Sequence, residues 1–349
     1  AYDLAMWLTY NWWRLLWEPE RLDLLPWKMS HMLGSVGNGY LWPDLRFSSD
    51  GATVTVTSNK MSHGKGEPVR YLNAFADTIP TKDFMDGIQT FINGVIARLV
   101  SEGIKDTKLS ALWQEVCEES LNSKTRHFRK LESIMGFDPG EAPDALMARL
   151  ATDEAIYGSS AIEEMAALAM ERSSETTSEL WHETKRLAEQ IRVPDTAILC
   201  DQILNAIDPN EVPWKQAETA AKIVRNKWAL ASGPVKTKLL CDLLGISEGF
   251  VKAPVNIKSP ISAGFRNGGV DGISIFINTP YPANRRFAMA RLIGDHLVIR
   301  DKAEKLLPAT DVQTMRQTFQ RKFAQEFLCP YGDLDAFLGR YSRKLWMRE

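Results

Sequence analysis

Between residues 213 and 328 the chain lays out its elements in a strict order, and that order constrains the fold more than any other feature. PWKQAETAAKIVRNKWAL (213–230) opens with proline at a helix start and sets Ala217, Ala220, Ala221, Val224 and Trp228 on one 3.6-residue face. A second helix, 235–244, closes at Gly245. A strand region covers 249–278, with the glycine-rich turn GFRNGGVDG (264–272) ahead of ISIFIN (273–278). An apolar helix, RFAMARLIGDHLVI (286–299), comes next, and a last one runs over 311–328 to Cys329-Pro330.

Upstream the pattern is different. A helical start (4–17) leads into a loop-rich stretch, and Leu45–Phe47 and Thr53–Thr57 flank Ser49-Asp50-Gly51 as a hairpin, with a further strand near 69–76. From Lys82 the pattern turns helical: Phe84, Ile88, Phe91, Val95 and Leu99 share a face, with Gly103 as the stop. A helix over 109–134 ends at Gly136, and more helix, acidic on its exposed faces, fills 144–192. Three prolines punctuate 192–213, which reads as the domain boundary. The expectation is α+β and predominantly helical. It comprises a small mixed N-terminal domain (1–80), an acidic helical domain (81–195), and a C-terminal domain with a small sheet (213–349).

Charge follows the same division. Residues 1–212 hold 20 basic against 32 acidic side chains, net −12, and residues 213–349 hold 22 against 12, net +10. Such asymmetry points to different partners for the two halves, or to their mutual attraction. Cys117, Cys200, Cys241 and Cys329 form no CxxC pair, so neither a disulfide framework nor a cysteine zinc site is expected, and a reducing cytosol is the natural compartment. AYDLAMWLTYNWWRLLW contains Asp3 and Arg14 and stops at Glu18-Pro19, short of the ~20 apolar residues of a membrane span. Its tryptophans read as core anchors.

The helices PWKQAETAAKIVRNKWAL and LLCDLLGI, the strand ISIFIN ending in Asn278, the helix NRRFAMARLIGDHLVI and the phrase FAQEFLCP (323–330) occur in sequence. In that order residues 213–335 resemble the ImmA/IrrE family of zincin-like metallopeptidases. The resemblance covers about a third of the chain and implies a zincin-like fold for the C-terminal domain. Residues 1–195 resemble no family.

A zincin needs two neutral imidazoles at i and i+4 to present both nitrogens to one ion, and a glutamate beside the first to deprotonate metal-bound water. With Phe287 and Gly294 as anchors, the family's HExxH falls on Arg291-Leu292-Ile293-Gly294-Asp295. The resemblance therefore sets Arg291 at the first ligand, Leu292 at the general base, Asp295 at the second ligand and Gln317 at the third. Both imidazoles, the base and the charged third ligand are replaced, and a guanidinium repels a cation. No catalytic residue, metal or cofactor is expected. His296 adjoins Asp295 but points about 100° away on a helix, and His31, His63, His127, His182 and His296 are scattered singly. Arg291 and Asp295 lie four apart: they form either a buried staple where the metal once tied two helices, or an exposed pair worth only tenths of a kcal/mol.

Other signals read as structure. GSVGNG (34–39) and GFRNGG (264–269) lack the strand, loop and Lys-Ser/Thr of a phosphate cradle. Cys329 occupies an apolar position of its phrase and reads as a small buried hydrophobe rather than a nucleophile. Glu326 reads as a packing or capping partner. Arg285, Arg286, Arg291, Arg316, Arg321 and Lys322 belong to two helices that a zincin-like fold brings around one cleft. Such a basic cleft suits nucleic-acid phosphates or an acidic peptide, or it docks on the acidic half of the chain, or it is a solvated face.

Active members of the family are associated with cutting helix-turn-helix repressors. The resemblance thus implies a cytoplasmic pseudopeptidase of bacterial or phage type. It would bind a protein partner, such as a helix-turn-helix regulator, in stress response, phage defence or mobile-element control. The alternative is a nucleic-acid-binding effector using the basic cleft.

Overall fold

The computed structural model describes residues 1–60, 73–169, 184–252, 261–266 and 272–346. Helices predominate and are joined by two small antiparallel sheets. The chain forms two compact units, one made of residues 1–148 with 166–172 and 313–315, the other of 149–165, 173–312 and 316–349.

In the first unit α1 (Tyr2–Tyr10) and α2 (Trp12–Trp17) supply the aromatic centre of the core. Trp12 meets Trp113 of α5 (Lys108–Leu121) edge-on, ring centroids 5.2 Å apart. Phe84, Ile88 and Ile92 of α4 (Thr81–Ser101) close the same cluster together with Val54 of the sheet. One core thus spans both sides of residue 80, so the chain parts near 148 rather than at 80 and 195. The hairpin forms as its turn residues dictate: β1 (Leu45–Ser49) pairs with β2 (Thr53–Ser58), which in turn pairs with β3 (Phe75–Pro80). Asp50 Oδ1 closes the turn by accepting from Ala52 N and Thr53 N at 2.9 and 2.8 Å. Part of the strand expected near 69–76 lies outside the described residues. The single helix expected over 109–134 is broken at Asn122, whose side chain accepts from Lys124 N and Thr125 N and so starts α6 (Ser123–Ile134) after α5. Among the described residues no helix is long and apolar enough to cross a membrane.

The second unit begins with the end of α7 (Asp144–Tyr157) and the first turns of α8 (Ser159–Ala169). Its sheet has the order β4-β6-β5-β7, from Glu189–Arg192, Gly272–Phe276, Ser262–Arg266 and Leu306–Ala309. Two upstream expectations need correction here. Residues 189–192, assigned to helix, are the edge strand β4, held by pairing with β6. Residues 192–213, assigned to a boundary, contain α9 (Thr196–Ala206), whose Leu199 and Ile203 are fully buried in the main core. Prolines 194, 209 and 213 flank this helix without entering it, which is where proline is tolerated. Then come α10 (Pro213–Lys227), α11 (Thr237–Leu244) and the short α12 (Glu248–Lys252), the last helical where strand was expected. After the sheet come α13 (Pro282–Val298), α14 (Met315–Leu328) and α15 (Tyr331–Trp346). Much of the turn expected at 264–272 falls outside the described residues.

Candidate functional site

Pro282 preorganises the start of α13, and every residue from Ala288 to Leu297 is buried. A helix closed in on all sides must satisfy its polar groups from the chain itself. On its sheet side Leu292 is fully buried, its Cδ2 3.7 Å from where a Cβ at Gly264 of β5 would stand. The position that the resemblance sets at the general base therefore carries an aliphatic group packed into the core. On the opposite side Gly294 lets α14 approach: a Cβ there would lie 2.4 Å from the Phe323 ring.

Arg291 and Asp295, 6% and 1% exposed, are not an exposed pair. Nor do they bond each other, and both readings of that pair give way to a cross-helix arrangement. Arg291 donates to Gln317 Oε1 and to the Thr310 carbonyl through Nη2, and to Gln320 Oε1 through Nε. Gln317 Oε1 also accepts from Thr310 N at 3.0 Å, and its Nε2 donates to Glu164 Oε2 at 2.9 Å and Pro308 O at 3.0 Å. Asp295 instead takes a forked contact from Arg316, Nε at 3.1 Å to both oxygens and Nη2 at 2.7 Å to Oδ2. The four positions that the resemblance marks thus comprise one apolar group and three polar ones, each polar one tied across from α13 to α14 or the strand before it.

Electrostatics follow burial. Desolvation, with the neighbouring charge of Arg321, brings the Arg291 pKa down to about 10, so the side chain stays charged at neutral pH. Burial alone would lower Arg316 too, but Asp295, Glu164 and Glu304 outweigh it and raise its pKa.

The six basic residues all have acceptors within the second unit. Arg285 is buried, donates to the carbonyls of Phe250, Ile277 and Thr279, and stacks over the Phe250 ring at 5.2 Å. Arg286 reaches Val235 O, and Arg321 reaches Val312 O at 2.8 Å. Lys322 pairs with Glu218 and Glu326 at 2.9 and 2.8 Å. Glu326 also accepts from Tyr331 N at 3.2 Å, at the start of α15. Cys329 is half-buried rather than buried, and His296 is buried on α13. His63 and His182 lie outside the described residues. Among the described residues no three His, Cys, Asp or Glu side chains gather so as to hold a metal ion.

Three members of the network carry no signal of their role in the sequence. Ser160 and Glu164 meet partners 144 to 156 residues further along the chain: Glu304 accepts from Ser160 N, Ser160 Oγ accepts from Arg316, and Glu164 accepts from Gln317. Gly-Ser-Ser ahead of an apolar run marks a helix start there, but not its partner.

No family model matches the chain, and no curated protein or solved structure matches it either.

Proposed function

We propose that the second unit is a zincin-like domain without catalysis and that the protein acts as a regulatory, partner-binding module. One observation carries the reading. Arg291, at the first-ligand position of the resemblance, hydrogen-bonds Gln317, at the third-ligand position. Two side chains that a zincin aims at one cation are here aimed at each other, one of them a cation itself. The aliphatic Leu292 in place of the base and the Arg316 clamp on Asp295 agree with it. Control of bacterial stress response, phage defence or mobile elements, in the cytoplasm and through a helix-turn-helix regulator, is the setting the resemblance suggests. This reading is favoured over a nucleic-acid-binding effector because all six basic side chains already donate to acceptors of the same unit.

The test is metal content after purification without chelator, before and after challenge with excess zinc, followed by incubation with helix-turn-helix regulators. The expected result is below about 0.1 zinc per chain in both states, with regulators recovered uncut. Stoichiometric zinc, or cleavage that a chelator abolishes, sinks the reading.

A further inference from the structure

The polar edge of the degenerate site is covered by chain from far upstream. Arg316 Nη1 donates to Ser160 Oγ at 2.7 Å, and Gln317 Nε2 to Glu164 Oε2 at 2.9 Å. The Glu304 carboxylate accepts from Ser160 N and Ala161 N at 2.8 and 3.2 Å, capping the start of α8. Just before it, Lys305 N donates to Tyr157 O at 2.9 Å. Gly158, at φ +105°, brings the backbone so near Glu304 that a Cβ would lie 2.7 Å from it. Ser160 and Glu164 stand four apart, so one helical face supplies both side-chain acceptors. The Glu164 charge is felt by Arg291, Arg316 and Arg321 alike.

These contacts between α8 and the site are polar and charge-assisted. Desolvation offsets much of the stability that buried contacts of this kind provide, but they discriminate strongly between a helix that offers acceptors in register and one that does not. We propose that the polar face of α13 and α14 at the degenerate site is a helix-docking surface. The first turns of α8 are its built-in occupant, and the partner it takes in trans is an acidic helix that displaces them, its acceptors four residues apart replacing those of Ser160 and Glu164. The inference rests on reading the unit as an inactive binding module, and it names the chemistry of what that module binds.

The test uses the full chain carrying S160A and E164Q, which removes both side-chain acceptors and keeps the apolar residues of α8. The probe is a labelled peptide of residues 157–169, with the doubly substituted peptide as control. The expected result is that the native peptide binds the variant chain at least about tenfold more tightly than the unaltered chain, and the control peptide binds neither. Amide exchange at 158–165 in the variant should rise by about tenfold while the β4–β7 sheet stays protected. Exchange rising equally in α8 and the sheet makes the helix ordinary core and overturns the proposal. So does a peptide that binds both chains alike, or neither. Should the double variant fold poorly, E304Q removes only part of the cap, and the same local rise in exchange is required of it. Zinc content of the same samples separates the two ideas. A zinc-free chain that ignores the peptide ends the docking inference alone, whereas one bound zinc ends the inactive-module reading whatever the peptide does.

Discussion

Helices α4 and α13 have comparable lengths, 21 and 17 residues, and opposite surroundings. In α4 only Thr81, Phe84, Ile88 and Ile92 are buried, so its polar side chains are solvated and its fold value lies in one apolar stripe. In α13 ten consecutive residues, 288–297, are buried, Arg291, Asp295 and His296 among them. The difference teaches where to look for meaning. A charged residue on α4 is explained by water, whereas one on α13 needs a named partner in the chain and exposes that partner to loss when it is changed.

The largest expected effect tests that contrast directly. Asp295→Ala leaves Arg316 buried without its carboxylate and should cost about 3–5 kcal/mol in urea unfolding. Glu102→Ala removes the exposed 2.6 Å pair with Arg98 at the end of α4, and its cost should stay within about 0.5 kcal/mol. Equal costs would erase the comparison. Next, Gly294→Ala drives a methyl into the Phe323 ring and should destabilise by about 1–3 kcal/mol, read as a shift of the urea midpoint at constant slope.

A third prediction extends the rule to α3 (Leu25–His31). There burial, reinforced by the charge of Arg14, lowers the His31 pKa to about 3 against a weaker opposing pull from the Trp27 carbonyl. Between pH 6.5 and about 3 the unfolded chain binds the proton that the folded one refuses. Stability should therefore fall as pH drops through that window, by up to about 1.4 kcal/mol per unit. His31→Gln should flatten this part of a stability–pH profile, and an unchanged slope would show that the ring charges in place. The last effect has the opposite sign. Gly94 of α4 has open space around it, so Gly94→Ala should stabilise by about 0.5–1 kcal/mol in the same unfolding assay.

Legibility in the sequence tracked this contrast. The stripe of α4 could be read from its period, although its deepest residue is Ile92, between the expected Phe91 and Val95. The hairpin was legible because Asp50 and Gly51 carry the turn chemistry. Edge strand β4 was not, since Glu189-Gln190-Ile191-Arg192 buries one side chain only and owes its conformation to β6. α9 was hidden by the prolines around it. At the site, Arg291, Leu292, Asp295 and Gln317 were singled out by the resemblance, anchored on Phe287 and Gly294, and not by composition or periodicity. Their partners were not. The Arg291–Asp295 pairing favoured by spacing lost to cross-helix acceptors, and Ser160, Glu164 and Glu304 have no local pattern tying them to residues more than 100 positions away. Periodicity reports which face is dry; it is silent on which distant donor will satisfy a buried acceptor.

The β4–β6 ladder carries one more consequence. The motifs that suggest a C-terminal domain begin at residue 213, yet Ile191 of β4 is paired opposite Ile273, and Leu199 and Ile203 of α9 lie in the same core as Leu292 and Phe323. The boundary drawn by motifs and the boundary drawn by cohesion are therefore different lines. A piece cut at 213 would leave behind one margin of its own sheet and a wall of its own interior, and would bare a hydrogen-bonding edge of the kind through which chains stick to one another.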